Sequence, residues 1–201
     1  MPTAFFITHP EVLVDPSIPV PAWRLSDRGL ARMKAFAKDA SLRGLRAVWS
    51  SEEAKAVEAA GLLAAEFGLP IGVDAGLGEN DRSATGFLPP AEFEEVADAF
   101  FANPQDSIRG WERAADAQAR VAHAVDRILR THGEGDIAFV AHGGVGTLLL
   151  CRLLGVPISR SLDQPSQGNF FAFEIPTRRV AHGWRALPRT GSLGGSIIPA
   201  A

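Results

Sequence analysis

Two short apolar runs, far apart in the chain, each end in a histidine. Phe5-Phe6-Ile7-Thr8 runs into His9, and Ile137-Ala138-Phe139-Val140-Ala141 runs into His142, which opens a Gly143-Gly144-Val145-Gly146 stretch. Both runs are too short for helices and rich in β-branched and aromatic residues, so each reads as a buried strand with a histidine at its carboxyl end. In an open α/β sheet that edge is where ligands bind. If the two strands are neighbours, the imidazoles face one another across a single pocket.

The segments between supply the helices such a sheet needs. Ser26 is placed to cap a helix over 27–39 with Leu30, Met33 and Ala37 on its apolar side. Leu45 to Trp49 reads as a strand, and Ser51 as the cap of a helix carrying Lys55, Val57, Leu63 and Ala64 that stops at Gly68. Leu69 to Val73 is a short third strand. Gly76 to Asp81 is too polar for core and reads as a loop facing the site. Pro89-Pro90 starts a helix with Phe93, Val96, Phe100 and Phe101 inward, its Glu92, Glu94, Glu95 and Asp98 forming a solvated face. Gly110 to His132 is a long amphipathic helix, and Leu148 to Leu154 an apolar one ended by Gly155. Phe170–Ile175 and Val180–Leu187 flank Pro176-Thr177-Arg178-Arg179 as a hairpin, its second strand near a sheet edge. Residues 1–190 read as one domain, with 79–110 inserted near the site and 191–201 a loosely held tail.

Composition narrows the partners. The 201 residues are 46% hydrophobic and 21% charged with a formal net charge of -3, so no global field attracts nucleic acid or an anionic membrane. An anion must be drawn in locally. The single cysteine, Cys151, excludes an internal disulfide and suits a reducing compartment, with the cytoplasm as the expected address. No signal peptide or membrane span is visible.

Competing motif readings fail on spacing. A dinucleotide fingerprint starting at Gly144 needs a glycine where Leu149 stands, and an esterase elbow at Thr190-Gly191-Ser192-Leu193-Gly194 lacks its first glycine. His123, His132 and His182 have no ligand-like spacing to His9 or His142, so no metal site is expected. His132 suits a helix C-terminus. The paired glycines after His142, opening a helix, offer amides to an anion, Gly143 first among them.

Ile7-Thr8-His9, Leu25-x-x-x-Gly29, Trp49-Ser50-Ser51-x-x-x-Lys55-Ala56, Leu77-x-Glu79 and Val140-Ala141-His142-Gly143-Gly144-Val145 occur in order, and over about residues 3–175 the chain resembles the histidine phosphatase superfamily, the phosphoglycerate-mutase-like proteins. The resemblance implies an α/β fold, a three-layer α/β/α sandwich with a largely parallel central sheet, and no metal or organic cofactor. It also implies a small phosphorylated substrate, with a homodimer as a candidate assembly. His9 would accept the phosphoryl group as a phosphohistidine, His142 would steady it, and Glu79 would protonate the leaving oxygen and then activate water, provided its pKa is raised. Thr8, Lys55 and Gly143 would bind the phosphate. The family carries arginine and glycine on either side of the first histidine, where this chain has Thr8 and Pro10, and arginine where it has Lys55. Loss of a planar, bidentate cation implies slow turnover. The alternative is a degenerate member that binds an anionic ligand or a partner protein. Arg24, Arg28 and Arg82 border the expected pocket and read as solvated surface side chains.

Overall fold

The computed structural model describes residues 1–189. Six strands form one sheet: β1 (Thr3–Thr8), β2 (Leu45–Ser50), β3 (Ile71–Val73), β4 (Asp136–Ala141), β5 (Asn169–Glu174) and β6 (Val180–Ala186), in the order β3-β2-β4-β1-β5-β6. The first four in that order run parallel, whereas β5 lies antiparallel to β1 and β6 antiparallel to β5. The expected hairpin is therefore present, with its second strand at the edge. β1 and β4 are central neighbours, in a register that sets Thr8 beside Ala141.

Alternation along the central strands sends side chains to two separate cores, as expected where helices cover both faces. Ala4, Phe6, Ile137 and Phe139 pack on one side with α3 (Pro90–Ala102), α4 (Ala114–Thr131) and α5 (Gly143–Leu154). Phe5, Ile7, Ala138 and Val140 pack on the other with α1 (Asp27–Phe36) and α2 (Ala54–Phe67). The result is the three-layer α/β/α arrangement. No helix among the described residues is long and apolar enough to cross a membrane.

Several element boundaries differ from the sequence reading. Ser26 does cap α1, accepting the Gly29 amide at 3.1 Å, but the helix ends at Phe36. Helix α2 starts at Ala54 with Glu53 as its cap; the Ser51 hydroxyl sits one step earlier, accepting the Glu53 amide at 3.3 Å and bonding His142 Nε2 at 2.7 Å. Pro70 keeps β3 to three residues. Arg109 and Gly110 both have positive φ and turn the chain, which delays α4 to Ala114. Helix α5 begins at Gly143 itself, five residues before the expected Leu148. Leu77, read as part of a polar loop, is fully buried in a single turn of 3-10 helix. His132 caps the end of α4. The expectation for 191–201 lies outside the described residues.

Candidate active site

Because β1, β2 and β4 are parallel, their carboxyl ends bring His9, Ser51 and His142 to one sheet edge. The His9 and His142 rings meet edge to face with centroids 5.3 Å apart. The His9 backbone amide continues the β1–β4 ladder to Ala141 O at 3.1 Å, so the ring is delivered by the sheet itself. Its Nδ1 lies 2.9 Å from the Pro10 carbonyl, which can only accept; Nδ1 therefore carries the proton and Nε2 keeps its lone pair. Burial, and next the neighbouring His142, lower the His9 pKa to about 3, so the ring is neutral throughout the ordinary pH range.

His142 is buried and caps α5. Its Nε2 is 2.7 Å from Ser51 Oγ and 3.2 Å from Glu53 Oε1, while Nδ1 is buried with no partner among the described residues. Burial pulls its pKa down, against an upward push from Glu53 and Glu79.

Glu79 reaches the same place from the segment after β3. Its two oxygens accept the Gly144 and Val145 amides, each at 3.0 Å, and a methyl group on Gly144 would come within 2.7 Å of Oε1, so only glycine admits this approach. Burial would raise the Glu79 pKa, but Arg82, His142 and the Gly144 amide outweigh it and the net shift is downward. The raised pKa expected of a resting acid is not found: the N-terminus of α5 and a guanidinium hold Glu79 ionised. Arg120 fixes the backbone behind it, donating to the carbonyls of Gly76, Gly78 and Glu79.

Of the three arginines read as solvated, Arg24 and Arg28 are exposed, paired with Glu58 and Glu11. Arg82 is different. It lies 3.3 Å from Glu79 Oε2, with its guanidinium 5.2 Å from the Phe93 ring centroid and 5.4 Å from that of Trp111. Those rings arrive only through the packing of α3 and the turn before α4, which no local pattern around Arg82 announces.

Lys55 is almost fully buried, and its Nζ donates to the Val20 carbonyl at 2.9 Å and to Glu53 Oε2. Glu53 was missed by sequence reasoning. Its Oε1 accepts the Glu79 amide at 3.0 Å, so one carboxylate joins Lys55, His142 and the Glu79 backbone. Its own burial would raise its pKa, but His142 and Lys55 bring it down to about 2. The one available signal was its place two residues before Lys55 and two after Ser51. Thr8, also fully buried, turns toward β5: its hydroxyl donates to Gln164 Oε1 at 2.7 Å and accepts the Asn169 amide at 2.9 Å. Its single hydroxyl proton is thus already committed. Gly143 is the first residue of α5, directly after His142. Among the described residues no group of three or more His, Cys, Asp or Glu side chains is arranged to hold a metal ion.

The profile of the histidine phosphatase superfamily (branch 1) matches residues 20–170, a span that includes Lys55, Glu79 and His142 and begins after His9. Among curated proteins, none matches the chain closely enough to count as a relative. Solved structures share the fold. Mycobacterial glucosyl-3-phosphoglycerate phosphatase superposes with a TM-score of 0.78 at 20% identity, over 94% of this chain and 100% of that one. The alpha-ribazole phosphatase of Shigella flexneri gives 0.68 at 21% identity, over 92% and 95%. Bacillus stearothermophilus YhfR gives 0.70 at 19% identity, over 96% and 98%.

Proposed function

As the chain belongs to the histidine phosphatase superfamily, we propose that it hydrolyses small phosphomonoesters without a metal ion, through a phosphohistidine at His9. The observation that carries this reading is the pairing of a neutral His9, its proton held on Nδ1 by Pro10, with the ring of His142 5.3 Å away. A neutral imidazole with a free Nε2 lone pair is a competent nucleophile toward phosphorus. Both phosphatases named above act on small phosphorylated molecules, which supports the same substrate class here.

In the first step His9 Nε2 bonds to phosphorus, the phosphorus–oxygen ester bond breaks, and the leaving oxygen takes a proton from Glu79. In the second, water passes a proton back to Glu79 and its oxygen to phosphorus, the nitrogen–phosphorus bond breaks, and orthophosphate leaves. The resting carboxylate form of Glu79 suits the second step. A phosphoryl dianion arriving beside it raises its proton affinity and readies it for the first. Gly143 and Lys55 supply donors at the phosphoryl oxygens, and His142 presents its unpartnered Nδ1.

Turnover is slow in this reading. Thr8 contributes no charge, and Lys55 is already paired with Glu53. Absence of one preorganised charged donor costs about 3 kcal/mol in the transition state, roughly a hundredfold in rate. That same pairing favours a second reading, a catalytically degenerate member that binds an anionic ligand. The single, buried Cys151 fits a reducing, cytoplasmic setting.

Incubation with a chromogenic phosphomonoester in the presence of a chelator separates the two. The phosphatase reading expects phosphate release that His9→Ala abolishes. Equal rates from the wild type and the variant overturn it, and no release from a protein that still binds phosphate supports the degenerate reading.

A further inference from the structure

The side chain of Gln164 spans the gap between the residue before His9 and the residue after His142. At one end, Oε1 accepts the Thr8 hydroxyl at 2.7 Å and Asn169 Nδ2 at 3.4 Å, two donors that fix the orientation of the amide. At the other end, Nε2 lies over the first residue of α5, where a methyl group on Gly143 would come within 2.3 Å of it. Among the described residues Nε2 donates to no protein acceptor. The loop that carries it is itself anchored: the Gln164 amide and the Thr147 hydroxyl of α5 both donate to Asp163 Oδ1, at 2.7 and 2.8 Å.

Three sequence features are explained by this one side chain. Position 8 is fully buried, and its small β-branched residue leaves room for the Gln164 amide while holding its oxygen. Position 143 lacks a Cβ, which lets Nε2 lie against the helix start. The Asn169 side chain, buried at the start of β5, completes the hold on Oε1. A held amide with a spare N–H therefore stands beside Gly143, and Gly143 adjoins His142, whose own Nδ1 is buried without a partner. A spare N–H held in a fixed direction in a half-buried site suits a ligand with an oxygen acceptor.

We propose that Gln164 is a phosphoryl ligand, its Nε2–H donating to an oxygen of the group transferred to His9, in place of a cation carried on position 8. The inference rests on the phosphatase reading and names the residue that takes over from the family's first-motif arginine. A neutral amide donor holds an oxygen in a defined direction and adds no charge, so it positions more than it attracts.

The test is equilibrium binding of inorganic phosphate by calorimetry to the wild type, Gln164→Glu and Gln164→Met. Glutamate keeps an oxygen for Thr8 and Asn169 but replaces the donor with a carboxylate, whereas methionine removes the donor without adding a charge, so that a deficit in both variants reports the lost N–H. The expected result is roughly 10- to 100-fold weaker binding for Gln164→Glu at pH 8, and about tenfold for Gln164→Met. The glutamate deficit, taken relative to wild type at each pH, should narrow at pH 5 as the carboxyl regains a proton to donate. Wild-type affinity in a folded Gln164→Glu variant, or a deficit unaltered by pH, overturns the proposal. Failure of the wild type to bind phosphate at all overturns this inference and the phosphatase reading together.

Discussion

Glu53 Oε1 sits 3.2 Å from His142 Nε2 while the other oxygen of the same carboxylate takes Lys55. A negative charge thus lies where an incoming phosphate would seek its counter-charges. The other carboxylate of the site, Glu79, holds the Gly144 and Val145 amides and Arg82 in the same way. With both imidazoles neutral, Lys55 and Arg82 are balanced by Glu53 and Glu79, and the site has little net attraction for an anion.

Glu53→Gln keeps an acceptor for the Glu79 amide but frees Lys55 from its partner. Product binding should therefore tighten, by roughly tenfold, because one nearby repulsive charge is gone and one cation is released. Inhibition by inorganic phosphate measures it. An unchanged inhibition constant would show that the Glu53 carboxylate lies outside the reach of the bound anion.

Thr8→Arg restores the residue that the family carries, yet the structure argues against any gain from it alone. Position 8 is fully buried and its hydroxyl touches Gln164 Oε1 at 2.7 Å, so a longer side chain must expel the amide. Overpacking of this kind costs about 1–3 kcal/mol. The single variant should show a lower urea midpoint and no faster turnover, whereas Thr8→Arg with Gln164→Gly should recover stability and exceed the wild-type rate. Faster turnover in the single variant would show that the two side chains do not compete for one space.

The pH dependence of stability has a definite sign. The His9 pKa is about 3 in the fold against 6.5 unfolded, and that of Glu53 is about 2 against 4.5. In both cases the unfolded chain binds protons that the folded chain refuses, so stability falls as the solution is acidified. His9 acts from about pH 6.5 down to 3, and Glu53 below about 4.5. Each fully titrating group contributes a slope of up to ~1.4 kcal/mol per pH unit. Urea denaturation between pH 7 and pH 4 reads the slope, and His9→Gln should flatten it. A slope identical in the variant would mean that His9 protonates freely in the folded protein.

Much of the architecture was legible because it follows from local periodicity. Phe5 and Ile7 alternate with Ala4 and Phe6, and Ala138 and Val140 with Ile137 and Phe139, so strands covered on both faces could be read directly from residue order. The helix starts were less legible where a side chain serves two partners. Ser51 has the chemistry of an N-cap, and its hydroxyl accepts the Glu53 amide and bonds His142, yet α2 begins later at Ala54. Leu77 lies in a glycine-rich stretch that looks like solvent-facing loop, and only the arrival of α4 makes it core.

By itself the amino-acid sequence determined the largely parallel, doubly covered sheet and the delivery of His9 and His142 from strand ends, because apolar alternation and glycine turns act through near neighbours. Tertiary structure alone decided the chemical state of the site. Glu53 and Lys55 are close in sequence, but the hold of the Lys55-paired Glu53 on His142 depends on β2 lying beside β4. The contact of Gln164 with Thr8 depends on β5 lying beside β1, and the position of Arg82 on α3 and Trp111. Charge and hydrogen-bond partners are set by distances in space, which no spacing along the chain encodes.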